Sequence, residues 1–323
     1  MDRRTAGIHA ACVLLAVAAA GCQPRPGESA APATRLPSPA PAVGLPAPTL
    51  AELKNATYQG VEEAGGPFTL VDGKWQGKPY EPGGASAPRV TYVRDFRLAG
   101  DCDGDGAEEA VVLLAANAGG SGEASYLAVV SRAGGSVTNV ATALIGDRVQ
   151  VRMATLDGRR IVLDLVQAGE KDAACCPGDL VTRTWELAGA ALKEGAVVKT
   201  GRLSLDVLAG SEWVLKAWAW DEAAPAVPEV TLKLDGARLA GSAGCNNYFA
   251  PVKAGGTPGD IQVGPAGSTR MMCPDAEMAV EQRFFAQLAG MSQMRFLAGQ
   301  LALSYVKPDK ALGVMLFERR AAQ

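Results

Sequence analysis

The run Asp101-Cys102-Asp103-Gly104-Asp105-Gly106-Ala107-Glu108-Glu109 sets acidic side chains at alternate positions and a glycine at the sixth. In a tight turn alternate oxygens can converge on one point, and the glycine permits the bend, which is how calcium loops gather hard ligands. Asp101, Asp103, Asp105, the Ala107 carbonyl and Glu109 would then form a Ca2+ site of millimolar-class affinity. The twelfth position is Val112, so the bidentate glutamate of an EF-hand is missing, and a strand pattern follows. A polar turn between two strands is the other outcome this composition allows.

Cysteine and histidine usage narrows the chemistry further. The only histidine is His9, close to the N-terminus, so the remainder of the chain cannot build Ser-His-Asp or Cys-His catalysis or a histidine-ligated metal centre. Beyond Cys22 there are Cys102, Cys175, Cys176, Cys245 and Cys273, an odd set that in an oxidising compartment predicts two disulfides and one leftover thiol. Vicinal cysteines rarely pair with each other, so a link from Cys102 to Cys175 or Cys176 is expected, and a soft-metal site of these three thiols is the alternative. Cys245 and Cys273 are a second possible pair. Two apparent motifs are chance matches. Ser304 to Lys307 and Lys199 to Gly201 give S-x-x-K and K-T-G in reversed order, and Gly119 to Ser125 lacks the lysine of a phosphate loop.

Residues 1–21 combine Arg3 and Arg4 with an apolar stretch, Ile8 to Ala20, too short to span a bilayer comfortably. Small residues lead directly into Cys22, the pattern of a bacterial lipoprotein signal in which that cysteine is acylated. Acyl chains such as palmitate would hold the protein on the lipid bilayer without a transmembrane helix. Gln23 follows the cysteine, which by resemblance to Gram-negative lipoproteins points to the outer membrane, facing the periplasm. Residues 22–50 are rich in proline and alanine and read as an extended tether reaching roughly 80 Å. The formal net charge is −3, so nothing recruits nucleic acid.

The length beyond the tether suggests two domains, 51–200 and 201–323. In the first, short β signals dominate: Ala110 to Ala116, Ser125 to Ser131 and Val181 to Leu187 are apolar or alternating runs. Asp72-Gly73 and Asp157-Gly158 sit between such runs and predict hairpins. An antiparallel sheet or sandwich is expected, with one short helical turn near Leu50. In the second, further strands surround Asp235-Gly236, and the segment after Cys273 reads as one amphipathic helix. Pro274 suits its first position, Gly290 its end, and Val280, Phe284, Phe285 and Leu288 its apolar face.

That second half carries a specific arrangement: Trp213-Val214-Leu215, then Gly241-Ser242-Ala243-Gly244-Cys245-Asn246-Asn247-Tyr248, then Ser268-Thr269-Arg270-Met271-Met272-Cys273-Pro274. The helix with Glu281 and Phe284 and two closing strands follow. In order and spacing, residues 205–320 resemble the META/HslJ family of bacterial envelope lipoprotein domains. The resemblance implies a small barrel-like β domain with one helix, and an association with heat-shock and antibiotic-tolerance phenotypes without an established enzyme activity. The glycines and asparagines fit a tight turn needing positive φ or side-chain hydrogen bonds. Asn246, Asn247 and Arg270 are candidate ligand contacts, Arg270 could instead pair with Glu281, and Met271 and Met272 read as core and rim packing.

The expected whole is a mostly β, non-enzymatic lipoprotein of the cell envelope with a binding or stress-response role. Its partner would be an envelope protein or a small ligand, the latter held in an apolar cavity inside the barrel. An inhibitor of a lysozyme or protease directed at the envelope is the alternative, and would present a rigid exposed loop.

Overall fold

The computed structural model describes residues 44–132 and 135–321. Cys22 and the proline-rich stretch up to residue 43 lie outside the described residues. Strands make up 49% of the described residues and helices 9%, and the sheets are antiparallel. Pro41–Gln323 form one compact unit.

The strand Glu109–Asn117 is the centre of the first half, and it shows why a continuous apolar run was needed there. It pairs with Arg89–Tyr92, Leu98–Gly100 and Ala124–Ser131 in a six-stranded sheet that ends at Thr138–Asp147. Its two faces meet two different cores. Ala110, Val112, Leu114 and Ala116 pack with Tyr58, Phe68, Leu70 and Tyr92, whereas Val111 and Leu113 pack with Ile161, Leu163, Leu165 and Trp185 of a second sheet. A strand covered on both sides loses the polar alternation of a half-exposed one. The second sheet has five strands, including Gln150–Asp157, Arg160–Gln167 and Asp179–Ala188. The expected sandwich is therefore present.

The first outer face is covered by the chain that leads in from the tether. Helix α1 (Leu50–Leu53) starts at a capping box between Thr49 and Glu52 and buries Leu53. Leu45 to Thr49, read from sequence as the last of the tether, are held against the sheet. The Glu108 N–H donates to the Leu45 carbonyl at 2.9 Å, and Arg97 Nε donates to the Pro48 carbonyl at 2.8 Å.

In the second half a ten-stranded sheet curls until its ends meet. Its long strands run Asn247–Ala254, Arg238–Ser242, Thr231–Asp235, Glu212–Ala219, Leu312–Arg319, Gln300–Val306 and Met291–Leu297. Closure is made at one point, where the Met294 N–H donates to the Gly259 carbonyl at 2.7 Å beside the Asp260–Gln293 bridge. The long run from Met294 to Val306 is split into two of these strands by a tight turn at Ala298-Gly299. Trp213, Leu232, Tyr248, Met315 and Phe317 fill the barrel, and helix α2 (Asp275–Leu288) adds Phe284 and Leu288 to the same core. Pro274 stands at the N-cap, one place before the expected first helical position. The Asp-Gly pairs at 72–73, 157–158 and 235–236 mark hairpin turns, with Gly73, Gly158 and Gly236 at positive φ and Asp72 as well.

The two halves share packing. Val166, Leu180 and Leu203 join the barrel core, and the Gly299 N–H at the hairpin tip donates to the Val151 carbonyl at 2.9 Å.

Candidate functional site

The acidic loop follows the strand Leu98–Gly100, and its carboxyls are largely spent on its own backbone. Asp101 accepts from the Gly104 and Gly106 N–H groups at 2.5 and 3.1 Å, which holds its carboxyl below the usual range. Asp103 accepts from the Asp105 N–H at 3.0 Å, and Asp105 from the Ala107 N–H at 2.7 Å. Glu109 is buried at the start of its strand, where it accepts from the Cys102 N–H at 2.9 Å and Ser131 Oγ at 3.2 Å. Burial pushes its carboxyl up. One oxygen each from Asp101, Asp103 and Glu109 falls within 4.8 Å of the others. Asp105, expected as a fourth carboxylate ligand, is outside that cluster, and its Oδ1 accepts from the Ala107 N–H two residues on.

Cys102 corrects an expectation. Its thiol is buried and free, bonded to neither Cys175 nor Cys176, and burial pushes it up to about 12. The side chain points into the core between the two sheets, with Sγ 3.5 Å from the Gly100 carbonyl. The sulfurs of Cys175 and Cys176 are paired with each other. They sit in the loop before Asp179–Ala188, which Asp172 braces by accepting from the Gly169 and Gly178 N–H groups at 2.8 Å each.

The second candidate region is built around Asn246. Gly244 turns the chain with φ +112°, whereas Gly241 has ordinary φ and is required by a close approach: a Cβ there would lie 2.2 Å from the Thr231 carbonyl. Past this turn Cys245 and Cys273 form a disulfide with Cα atoms 5.9 Å apart. Asn246 is buried beside them and uses every polar atom. Its backbone N–H donates to Glu281 Oε2 at 2.7 Å, and its Nδ2 reaches Glu281 Oε1 and the Met271 carbonyl at 3.2 Å each. Its Oδ1 accepts from Thr269 Oγ and the Met271 N–H, both at 2.7 Å. One asparagine thus pins the segment Thr269–Cys273 to helix α2 and to the barrel wall.

The META domain family model matches residues 206–320. This part of the chain is a META domain. No curated protein is a match. Among solved structures, the NMR structure of a protein from Burkholderia xenovorans is similar at 23% identity, covering 36% of this chain and 87% of that one, with a TM-score of 0.29.

Within the META domain the pinned segment turns its side chains outward. Met272 is 98% exposed and Met271 54%, so neither is the core residue its apolar character suggested. The backbone of Met271, through Asn246, carries the packing. Arg270 is exposed and makes no ion pair or hydrogen bond among the described residues, and its proposed partner Glu281 is occupied by Asn246. Asn247 is exposed at the start of its strand and pairs through its backbone. Of the three suggested contact residues, Asn246 is therefore a buried organiser, while Asn247 and Arg270 are at the surface. The expected cavity inside the barrel is replaced by packed side chains.

Proposed function

We propose that this is a lipid-anchored envelope protein that acts by binding, with the tip Arg270-Met271-Met272 of its META domain as the contact. The observation that carries this is the contrast between a fixed backbone and free side chains. The segment is clamped by a disulfide and by Asn246, yet it presents a guanidinium and two thioethers to solvent. A preorganised tip loses little conformational entropy on docking. Flexible methionine and planar arginine suit an acidic and apolar protein cleft. The sequence supports the anchor through Cys22 and its preceding signal-like stretch, and supports the absence of catalysis through its histidine usage. The same tip favours the inhibitor alternative, in which the cleft belongs to an enzyme attacking the envelope.

The test is complementation of a strain lacking this protein, challenged with heat or with an antibiotic acting on the envelope. Met272→Asp and Arg270→Ala are expected to fail as completely as Cys22→Ala. Since both tip side chains are exposed, stability should stay within about 0.5 kcal/mol of the parent in chemical unfolding. Full rescue by Met272→Asp would refute the tip as the contact. Inhibition of a purified lysozyme or periplasmic protease, lost in the same variant, would select the inhibitor form.

The acidic loop lies where the tether joins the folded unit, since Glu108 next to it binds Leu45. We assign it a stabilising Ca2+ of millimolar-class affinity, held by Asp101, Asp103 and Glu109. Calorimetry is expected to show saturable calcium heat that Asp101→Ala removes and Asp105→Ala retains. No heat at several millimolar calcium would leave the loop a polar turn.

A further inference from the structure

The inner face of the six-stranded sheet is not covered along its whole length. Register places Thr91 opposite Ala115 and Arg89 opposite Asn117, on the same face as Leu113 and Val111. Val111 is buried against the second sheet, but Arg89 and Thr91 extend beyond it and are exposed. The META domain closes over this gap. Its hairpin tip brings Leu297 and Ala298, and the end of another strand brings Trp220. Between these elements is a cavity of about 570 Å3, with Val149 and Val151 on one wall.

The lining has an uneven charge. Arg89 has no hydrogen-bond or ion-pair partner among the described residues. Arg94 spends two nitrogens on neutral oxygens, donating to the Trp220 carbonyl at 3.1 Å and to Gln300 Oε1 at 3.3 Å. Its guanidinium carbon lies 5.9 Å from the Trp220 ring centre. Glu123 is the one carboxylate in the lining, so the balance is positive. Trp220 is 57% exposed, a large aromatic surface left unpacked at the mouth. Arg94 and Ala298 both line the cavity and hold φ of +46° and +49°, a region that residues with a side chain rarely occupy. Such backbone outliers cluster at ligand clamps.

We propose that this cavity binds a small aromatic carboxylate. The volume falls in the range of small-molecule sites, roughly 300–1,000 Å3. The sheet face and Leu297 supply the apolar bed, Trp220 a stacking plane, and the unpartnered Arg89 a guanidinium for one carboxylate, with Arg94 adding positive charge to the same lining. Glu123 disfavours a second negative charge on the ligand. Because the lining comes from both halves of the chain, neither half alone would form the site. This inference is independent of the tip at Arg270, whose variants leave the cavity intact.

The probe is 1-naphthoate, with neutral 1-naphthamide as comparator, titrated into the chain from Pro41 onward, which forms a compact unit. Tryptophan fluorescence and the Trp220 indole N–H resonance report binding. Saturable single-site binding is expected, with the Trp220 resonance shifting along the same isotherm. Naphthamide, and naphthoate on the variants Arg89→Gln and Trp220→Ala, should each bind about tenfold or more weakly. Arg89 and Trp220 are exposed, so unchanged melting temperatures should separate lost binding from lost folding. The proposal is overturned by absence of saturation at about 10 mM naphthoate, which corresponds to less affinity than any useful site. Equal binding of naphthamide, or undiminished binding to Arg89→Gln, overturns it as well.

Discussion

Replacing Cys245 and Cys273 together by alanine should lower the free energy of unfolding by about 3–4 kcal/mol. The disulfide closes a loop of sequence separation 28, and a loop of that length removes this much chain entropy from the unfolded state in the loop-closure account. The loss has a local component too. Cys273 immediately precedes Pro274, the N-cap of helix α2, and Cys245 adjoins the organising Asn246. Without the bond, the segment Thr269–Cys273 keeps the Asn246 hydrogen bonds and the one from the Thr269 N–H to the Asn247 carbonyl, and the start of the helix is less restrained. Urea unfolding of the double variant against the oxidised parent measures the effect as a shift in midpoint. A loss below about 1 kcal/mol would mean that the alanine variant retains the loop by packing alone, which the exposure of Met271 and Met272 argues against.

Much of the architecture could be read from local pattern. The run Ala110 to Ala116, the Asp-Gly turns and the amphipathic helix each have a period that neighbours in sequence determine, and they appear as strands, hairpins and helix α2. What local pattern cannot contain is the choice of distant partner. The sequence offers Asn246, one of two asparagines in a glycine-rich turn, as a candidate ligand contact. It is buried because Glu281, 35 positions later on the helix, faces it. Cysteine usage in an oxidising compartment predicts a cross-link for Cys102, but the loop after the strand Leu98–Gly100 buries its free thiol in the core between two sheets. Met271 and Met272 read as core and rim packing from their side chains, whereas both are exposed and the bonds that fix the segment are made by its backbone. The cavity at Trp220 is the extreme case. Arg94 and Trp220, which meet in its lining, are 126 positions apart, so no window of sequence displays it.

The second large effect follows from that hidden organiser. Asn246→Ala removes two donors and an acceptor from a buried site, leaving the Met271 N–H, Thr269 Oγ and Glu281 Oε1 without the partner they now share. Unsatisfied buried polar groups cost about 1–3 kcal/mol each when no water replaces the partner, and the segment's edge is solvent-accessible, so a total loss of about 2–4 kcal/mol is expected. Glu281→Gln is a sharper probe. Both Glu281 oxygens accept from Asn246, one from its backbone and one from its side chain. An amide in that place can supply only one acceptor and turns a donor toward another donor, so near-isosteric replacement should still be destabilising. Hydrogen exchange separates the network from the barrel. In either variant the Met271 amide should exchange much faster, while Leu303, in a central barrel strand, should follow only the change in global stability. If Met271 stays as protected as Leu303 in Asn246→Ala, the tip is held by something other than Asn246. A contact surface made of a fixed backbone with free side chains would then lose its structural basis.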